Sequence, residues 1–225
     1  MTEEKPSKSG CGWMHLLWLA AVTLLGMAMV PPCMNVVIDK SGQAATAGNC
    51  RQIVAALKLY ATEHGGKYPD ADSSAPATAN QAFRILIREG VLDDERVFSA
   101  IPSKFVPDNN IGEAPEFSEA LQAGENHWAM TKAVTTKSPP LTPLVFENPV
   151  ASGWPPMWNA DAAGKNQKGR TWKGGKIIVC FNDTSAQVIK LESDKGKEVL
   201  PAREADGKDV FTRVGEAMEI LDILE

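Results

Sequence analysis

The sequence predicts an α+β protein in which an N-terminal transmembrane helix precedes an amphipathic helix packed on a small antiparallel sheet, with long irregular loops. Three observations predict this fold class. They are an uncharged apolar run at 13–30, apolar side chains three and four residues apart at 49–64, and a β-hairpin pattern at 176–191. The 225 residues are enough for one domain of ordinary globular composition and an anchor.

The apolar run predicts the compartment. Its eighteen residues, 13–30, contain no Asp, Glu, Lys or Arg, and at about 1.5 Å per residue they nearly cross a hydrocarbon layer of roughly 30 Å. Lys5 and Lys8 precede the run, which favours a cytoplasmic N-terminus. We therefore expect a single-pass protein of the bacterial inner membrane with its C-terminal domain in the periplasm. A cleaved signal peptide is the alternative, because Gly26 and Ala28 supply the small residues that a signal peptidase requires.

These observations divide the chain into four segments. They are a cytoplasmic leader at 1–12, a transmembrane anchor at 13–33, a neck at 34–48 and an extracytoplasmic domain at 49–225. Pro31 and Pro32 are expected to interrupt the helix, because proline lacks the amide donor and clashes with the preceding turn.

The segment 49–64 carries the strongest helical pattern of the extracytoplasmic part. Asn49 is expected to cap its N-terminus, and Gly65 and Gly66 are expected to end it in a left-handed turn. A helix with one apolar face needs a partner surface, and we expect a sheet, because the later chain supplies strands. The apolar stripe consists of Cys50, Ile53, Val54, Leu57, Tyr60 and Ala61.

Shorter elements follow this helix. Residues 67–78 are predicted to be a loop, and Asn80 is then expected to cap a short helix that stops at Gly90. Another short helix is predicted at 116–121. At the C-terminus, apolar residues at helical spacing predict a helix over 214–224.

The sheet is predicted to contain four strands, at 127–131, 143–147, 176–181 and 186–191. The last two are expected to form an antiparallel hairpin, because a polar turn separates them. Loop 148–173 is too long and too rich in Trp, Pro, Gly and Asn to be regular. We therefore expect it to lie over the sheet or its edge.

Two cysteines lie on elements that are expected to pack together. Cys50 belongs to the amphipathic helix, and Cys180 belongs to the most apolar strand. In an oxidising compartment these residues are candidates for a disulfide bond, with two small buried thiols as the alternative.

The order of these elements and two stretches of sequence resemble the type IV pilin and type II secretion pseudopilin family. Residues 49–70 carry the pattern N-x-x-x-I-x-x-A-L-x-x-Y-x-x-x-H-G-G-x-Y-P, and residues 174–191 resemble the closing hairpin of these proteins. The resemblance implies a helix laid across a small antiparallel sheet, in an inner-membrane protein that contacts other envelope or secretion-system proteins.

The prepilin motif at the N-terminus is degenerate. Gly10 is placed to end a leader peptide, but Cys11 follows it, and His15 occupies the fifth position, where the family carries Glu. A static membrane protein with a pilin-like domain therefore fits these residues better than the main subunit of a filament does, and self-association stays an open alternative.

Several function classes are disfavoured by the residues present. A net charge of -5, with basic and acidic residues interspersed, gives no basic stripe for nucleic acid. The extracytoplasmic part has only His64 and His127, and it carries no hydrolase elbow, zinc-protease motif or phosphate loop, so we expect no enzyme. We also expect no cofactor. Calcium at Asp161, or at Asp70 and Asp72, is an alternative that such sparse acids do not favour.

Loop 148–173 contains a concentration of Trp residues. Trp154, Trp158 and Trp172 form a candidate ligand or partner surface there, and the alternative is that their rings pin the loop onto the sheet. We therefore predict a non-enzymatic envelope protein that acts through protein-protein contacts in a secretion or pilus-type assembly. An anchored or secreted ligand-binding module that uses loop 148–173 is the second hypothesis.

Overall fold

The structure, a computed structural model, describes residues 12–71 and 76–225, and the side chains of these residues except those of Gly12 and 24–36. The contacts divide the chain into two units, Met1–Lys40 and Ser41–Glu225. In the first unit, the described residues 13–23 expose apolar side chains, among them Trp13, Leu16, Trp18 and Leu19.

Helix α1 spans Gly12–Glu63. The predicted neck at 34–48 is therefore helical, and Asn49 lies inside the helix instead of capping it. The predicted interruption at Pro31 and Pro32 is wrong, because α1 contains both residues. Each proline removes one amide donor, and the long helical sequence on either side outweighs that loss.

The predicted membrane anchor is only partly covered by this description. Within the residues whose side chains the structure describes, no helix combines the length and the hydrophobicity needed to cross a membrane. The predicted leader at 1–12 and part of the predicted anchor at 13–33 lie outside those side chains.

Helix α1 ends as the glycine pair predicts. Gly65 and Gly66 have φ angles of 62° and 85°, and the Gly66 amide donates to the carbonyl of Ala61 at 2.8 Å. The next helix, α2, spans Ala79–Arg88, and its N-cap is Thr78, whose hydroxyl accepts from the Gln81 amide.

Asn80 does not cap α2, contrary to the prediction. It lies one position inside the helix and is buried. Its side-chain amide donates to the carbonyls of Leu121 and Gln122, and its oxygen accepts from the Leu224 amide. Asn80 therefore joins α2 to two distant loops. The helix stops before Gly90 as predicted, and that residue has a φ of 69°.

The four predicted strands are present within one antiparallel sheet. A fifth strand extends it, so that the order across the sheet is β4-β3-β2-β1-β5. The strands are β1 (Trp128–Thr131), β2 (Pro143–Glu147), β3 (Lys176–Phe181), β4 (Ala186–Lys190) and β5 (Ile220–Leu221). Three short 3₁₀ helices also occur in the described chain, at Arg96–Phe98, Ala160–Ala162 and Thr212–Val214.

Two predicted helices are wrong. Residues 116–121 form turns, in which Phe117 and Leu121 have positive φ angles. Residues 214–224 supply β5 instead of a helix, and β5 pairs with the free edge of β1. An unpaired strand edge presents a row of amide and carbonyl groups. Hydrogen bonds to this edge stabilise the segment more than its weak helical pattern does.

Apolar side chains are buried on both faces of the sheet. On the helix face, the predicted stripe of α1 is buried together with α2 and alternate strand residues, including Leu144, Ile178 and Cys180. On the loop face, the other strand residues pack under irregular segments, and this core includes Phe146, Trp158, Ile177, Val179 and Phe211. The predicted packing of an amphipathic helix on an antiparallel sheet is therefore confirmed.

Candidate functional site

A buried polar centre lies at the end of β2. We call it the Glu147 centre, and it consists of Glu147, His127, Arg170, Trp172 and Ser103. The side chains of Glu147, His127 and Arg170 are each only 1% exposed. Buried charged groups are rare unless they are paired, so this centre is the most unusual chemistry in the described part of the chain.

The strands and the Trp-rich loop place these residues together. Glu147 is the last residue of β2 and pairs with Trp128 of β1, so His127 lies beside it. The Asn148 amide donates to the His127 carbonyl at 3.2 Å, which continues this pairing beyond the strand. Arg170 and Trp172 enter from loop 148–173, and the centre therefore holds that loop against the sheet.

The Glu147 carboxylate accepts hydrogen bonds from three segments. Nε1 of Trp172 lies 3.1 Å from Oε1 and 3.0 Å from Oε2, and the Ile178 amide of β3 donates to Oε2 at 2.8 Å. Nε2 of His127 lies 3.1 Å from Oε1. A carboxylate with this many donors is well satisfied despite its burial.

Arg170 neutralises the carboxylate through an ion pair. Its Nη2 atom lies 3.0 Å from Oε1 of Glu147, although the approach does not meet hydrogen-bond geometry. Its guanidinium also lies over the Trp172 ring, with Cζ 4.5 Å from the ring centroid. Arg170 is therefore held by charge and by stacking.

Charge and burial fix the protonation states of this centre. Burial raises the pKa of Glu147, but the charge of Arg170 and the hydrogen bond from His127 outweigh it, and the pKa stays below its ordinary value. Burial lowers the pKa of His127, and the hydrogen bond to Glu147 offsets this only in part. At neutral pH the centre therefore contains a charged Glu147 and a neutral His127.

The second nitrogen of His127 contacts Ser103. A neutral imidazole that donates from Nε2 to Glu147 leaves Nδ1 as an acceptor, and the Ser103 hydroxyl lies 2.9 Å from it. Asn148 also approaches Nδ1, at 3.2 Å. His127 thus connects Ser103 to Glu147 as the base connects the nucleophile to the orienting acid in acyl hydrolases, but with the roles of the two ring nitrogens exchanged. Here the same acid also carries the ion pair to Arg170.

The sequence prediction missed the Glu147 centre. The sequence shows His127 only as one of the two histidines after residue 49, and it places Glu147 at the end of a predicted strand. The available signal was a carboxylate at the end of an otherwise apolar strand, because a charge at such a position requires a buried partner. Nothing in the sequence spacing indicates that this partner is Arg170.

The predicted Trp surface is not exposed. Trp158 and Trp172 are buried, at 0% and 2% exposure, and Trp154 is partly buried against Phe211, with 5.4 Å between ring centroids. Nε1 of Trp158 donates to the Glu147 carbonyl at 3.1 Å. These rings pin loop 148–173 onto the sheet, which was the alternative interpretation.

The structure brings Cys50 and Cys180 together on the helix face, and both are buried free thiols. Burial raises the pKa of Cys50 well above its ordinary value, and the adjacent Cys180 thiol raises it further. The Cys50 thiol donates to the Val145 carbonyl at 3.5 Å. A protonated thiol is a poor nucleophile, so Cys50 is not activated for catalysis. The disulfide bond stays a prediction.

The carboxylates that were the alternative for calcium accept hydrogen bonds from the backbone. Asp161 accepts from the Gly196 amide at 2.9 Å, and Oδ2 of the buried Asp70 accepts from the Ala133 amide, whereas its Oδ1 has no hydrogen-bond partner. Asp72 lies outside the described residues.

Comparison with known proteins gives no match: no family model, no curated protein and no solved structure matches this chain. The resemblance to pilins and pseudopilins therefore stays a prediction from the residues.

Proposed function

We propose that this chain is a non-enzymatic, membrane-anchored envelope protein with a pilin-like domain, and that it acts through protein-protein contacts in a secretion or pilus-type assembly. The observation that carries the proposal is the packing of the α1 stripe on a small antiparallel sheet, as the resemblance implies. The ending of α1 at Gly65 and Gly66 supports it further.

The proposed anchor is supported by the apolar N-terminal part of α1. Residues 13–30 contain no charged side chain, and the apolar side chains described at 13–23 are exposed. A helix that is apolar all round is stable only where another apolar medium covers it, and a bilayer is such a medium.

The Glu147 centre has a structural role in this proposal. Its carboxylate joins β2, β3, the start of β1 and loop 148–173, and both nitrogens of His127 are engaged. The second hypothesis, a ligand-binding module, loses support because the rings assigned to its surface are largely buried.

A serine-reactive fluorophosphonate probe is expected to leave Ser103 unlabelled. Labelling that disappears in Ser103→Ala would overturn the non-enzymatic part of the proposal.

Membrane fractionation of the full chain tests the anchor. With a C-terminal tag, we expect the protein to resist alkaline extraction, and the tag to become protease-sensitive once the outer membrane is opened. The double variant Leu17→Arg/Leu19→Arg is expected to release it, because each Arg at the centre of a membrane helix costs about 2.5–3.5 kcal/mol. Leu59→Arg is the matched control, because Leu59 is an exposed apolar residue on the same helix within the second unit.

Photo-crosslinking in cells tests the protein-protein contacts. A photoactivatable residue at exposed Leu59 is expected to form adducts with another envelope protein or with a second copy, whereas the same residue at exposed Lys208 serves as the comparison. A protein that fractionates as soluble, or that gives adducts at neither position, would contradict the proposal.

A further inference from the structure

Three carboxylates from distant parts of the sequence meet outside the Glu147 centre. Glu95 directly precedes the first 3₁₀ helix, Asp108 lies in the following loop, and Glu125 lies shortly before β1. One carboxylate oxygen from each residue lies within 4.8 Å of the other two. We call these residues the acidic triad. Glu95 is buried, Glu125 is half-buried and Asp108 is exposed, so the triad opens to solvent on one side.

The buried member has an oxygen without a hydrogen-bond partner. Oε1 of Glu95 accepts from the Leu121 amide at 2.5 Å, whereas Oε2 is buried and no donor meets hydrogen-bond geometry with it, although the Asn109 amide acts to lower the pKa of the same carboxyl. The Glu95 residue as a whole is 0% exposed. Native structures leave few buried polar atoms unsatisfied, and an orphaned carboxylate oxygen is the most costly kind. The unpaired oxygen therefore indicates a ligand that supplies positive charge.

No protein cation fills that role in the described part of the chain. None of its Lys or Arg side chains forms an ion pair with a member of the acidic triad. Arg96 is adjacent to Glu95 in sequence, but its guanidinium is bound to Asp94. Burial raises the pKa of Glu95, and the negative charges of Glu125 and Asp108 raise it further. The three carboxylates thus repel one another unless a proton or a metal ion joins them.

We propose that the acidic triad binds a divalent cation of the calcium class. The donor set consists of carboxylate oxygens alone, which hard cations prefer, whereas zinc sites draw on nitrogen and sulfur ligands. Asp108 and Glu125 are accessible enough for water to complete the six to eight ligands that calcium takes. The proposal is independent of the assembly role, because it concerns only the second unit.

Calcium at this position would tie three segments together. Glu95 precedes the first 3₁₀ helix, and Glu125 leads into β1 through Asn126 and His127. The loop between them is irregular, and a metal ion that joins its ends stabilises it. The affinity expected for such a partly open, water-completed site is that of extracellular calcium modules, with a Kd of about 10⁻⁴–10⁻³ M.

Calorimetry and thermal unfolding of the metal-free full chain in mild detergent test the proposal. We expect one calcium ion per chain, and a Tm rise of about 3–6 °C at a calcium concentration tenfold above Kd. Asp108→Asn and Glu125→Gln are each expected to weaken binding at least tenfold. Glu113→Gln is the matched control, because Glu113 is an exposed acid of the same loop outside the triad, and it should bind calcium as the unaltered chain does.

Two results would overturn the proposal. One is the absence of both a heat of binding and a Tm rise at 10 mM calcium, a concentration about tenfold above the weakest expected Kd. The other is an equal loss of affinity in Glu113→Gln and Asp108→Asn, which would indicate diffuse screening. If a shared proton joins the carboxylates instead, Glu125→Gln will raise Tm in the metal-free protein at neutral pH, and calcium will have no effect. Circular dichroism of each variant confirms that it is folded.

Discussion

The two faces of the sheet are buried by different kinds of cover. On the helix face, Ile178 and Cys180 of β3 pack under regular helices whose apolar residues recur three and four apart. On the loop face, Ile177 and Val179 of the same strand pack under segments without any period. Strand β3 is apolar at every position after Lys176, so both of its faces must be buried, but its sequence does not predict which elements bury them.

The faces also differ in polarity. The loop face is built from aromatic rings packed edge to face, with 5.1 Å between the centroids of Phe146 and Phe211. The helix face contains the Glu147 centre, where Trp172 reaches α1 closely enough that a Cβ on Gly42 would lie 3.3 Å from its ring. Apolar packing tolerates small changes of shape, whereas a buried ion pair tolerates the loss of neither partner.

The variant with the largest expected effect tests whether the irregular segments on the loop face belong to the core. Phe211→Ala is expected to lower the free energy of unfolding by about 3–5 kcal/mol, because it removes a buried ring and leaves a cavity beside Phe146 and Trp158. Urea unfolding of the full chain, followed by Trp fluorescence, measures the loss.

The control for this variant is Leu59→Ala, since Leu59 is 57% exposed on α1. It should change the free energy of unfolding by no more than about 0.5 kcal/mol. If Phe211→Ala costs as little as this control, the loop face is not part of the cooperative core and the comparison between the faces fails.

The polar centre of the helix face is tested by Glu147→Gln. The substitution keeps the shape but leaves Arg170 buried without a counter-charge, and we expect a loss of about 3 kcal/mol in the free energy of unfolding. The double variant Glu147→Gln/Arg170→Met should regain part of the loss, because it removes the uncompensated charge as well. Equal stability of the single and double variants would show that the uncompensated charge of Arg170 does not cause the loss.

The sequence predicted the periodic parts of the fold and missed the aperiodic ones. Strands at 143–147 and 176–181 were predicted at the bounds that the structure has, because β-branched and apolar residues were flanked by clear turn signals. The helix predicted at 214–224 failed, since its pairing depends on the free edge of β1, which is distant in sequence. Non-local pairing leaves no local signal in a segment this short.

The candidate sites show the same limit. The proximity of Cys50 and Cys180 was predicted, because both lie on elements with a strong periodic pattern. The Glu147 centre was not predicted, because Arg170 reaches it from an irregular loop whose path the sequence does not specify. For the same reason Trp158 and Trp172 were assigned to a surface, although their burial depends on that path. Contacts between regular elements can be predicted, whereas contacts that depend on the path of a long loop cannot.

The smallest expected effect concerns pH and His127. Burial holds the pKa of His127 below its ordinary value in the folded protein, and Glu147 and Arg170 are the charged groups that face it. The unfolded chain therefore binds a proton first as the pH falls below about 6.5. The contribution of His127 to the free energy of unfolding is fully present above that pH. It is lost as the pH falls towards the pKa of His127 in the folded protein, by at most about 1.4 kcal/mol per pH unit.

The variant His127→Gln isolates this contribution, because the Gln amide can still donate to Glu147 and the titrating groups outside the Glu147 centre cancel in the difference. Between pH 7 and pH 5, the free energy of unfolding should fall less steeply in the variant than in the unaltered chain, whatever the absolute stability of either protein. Urea unfolding at several pH values measures the two slopes. Since a histidine that is protonated in the folded state would give the opposite sign, parallel or reversed slopes would show that His127 does not stay neutral beside Glu147.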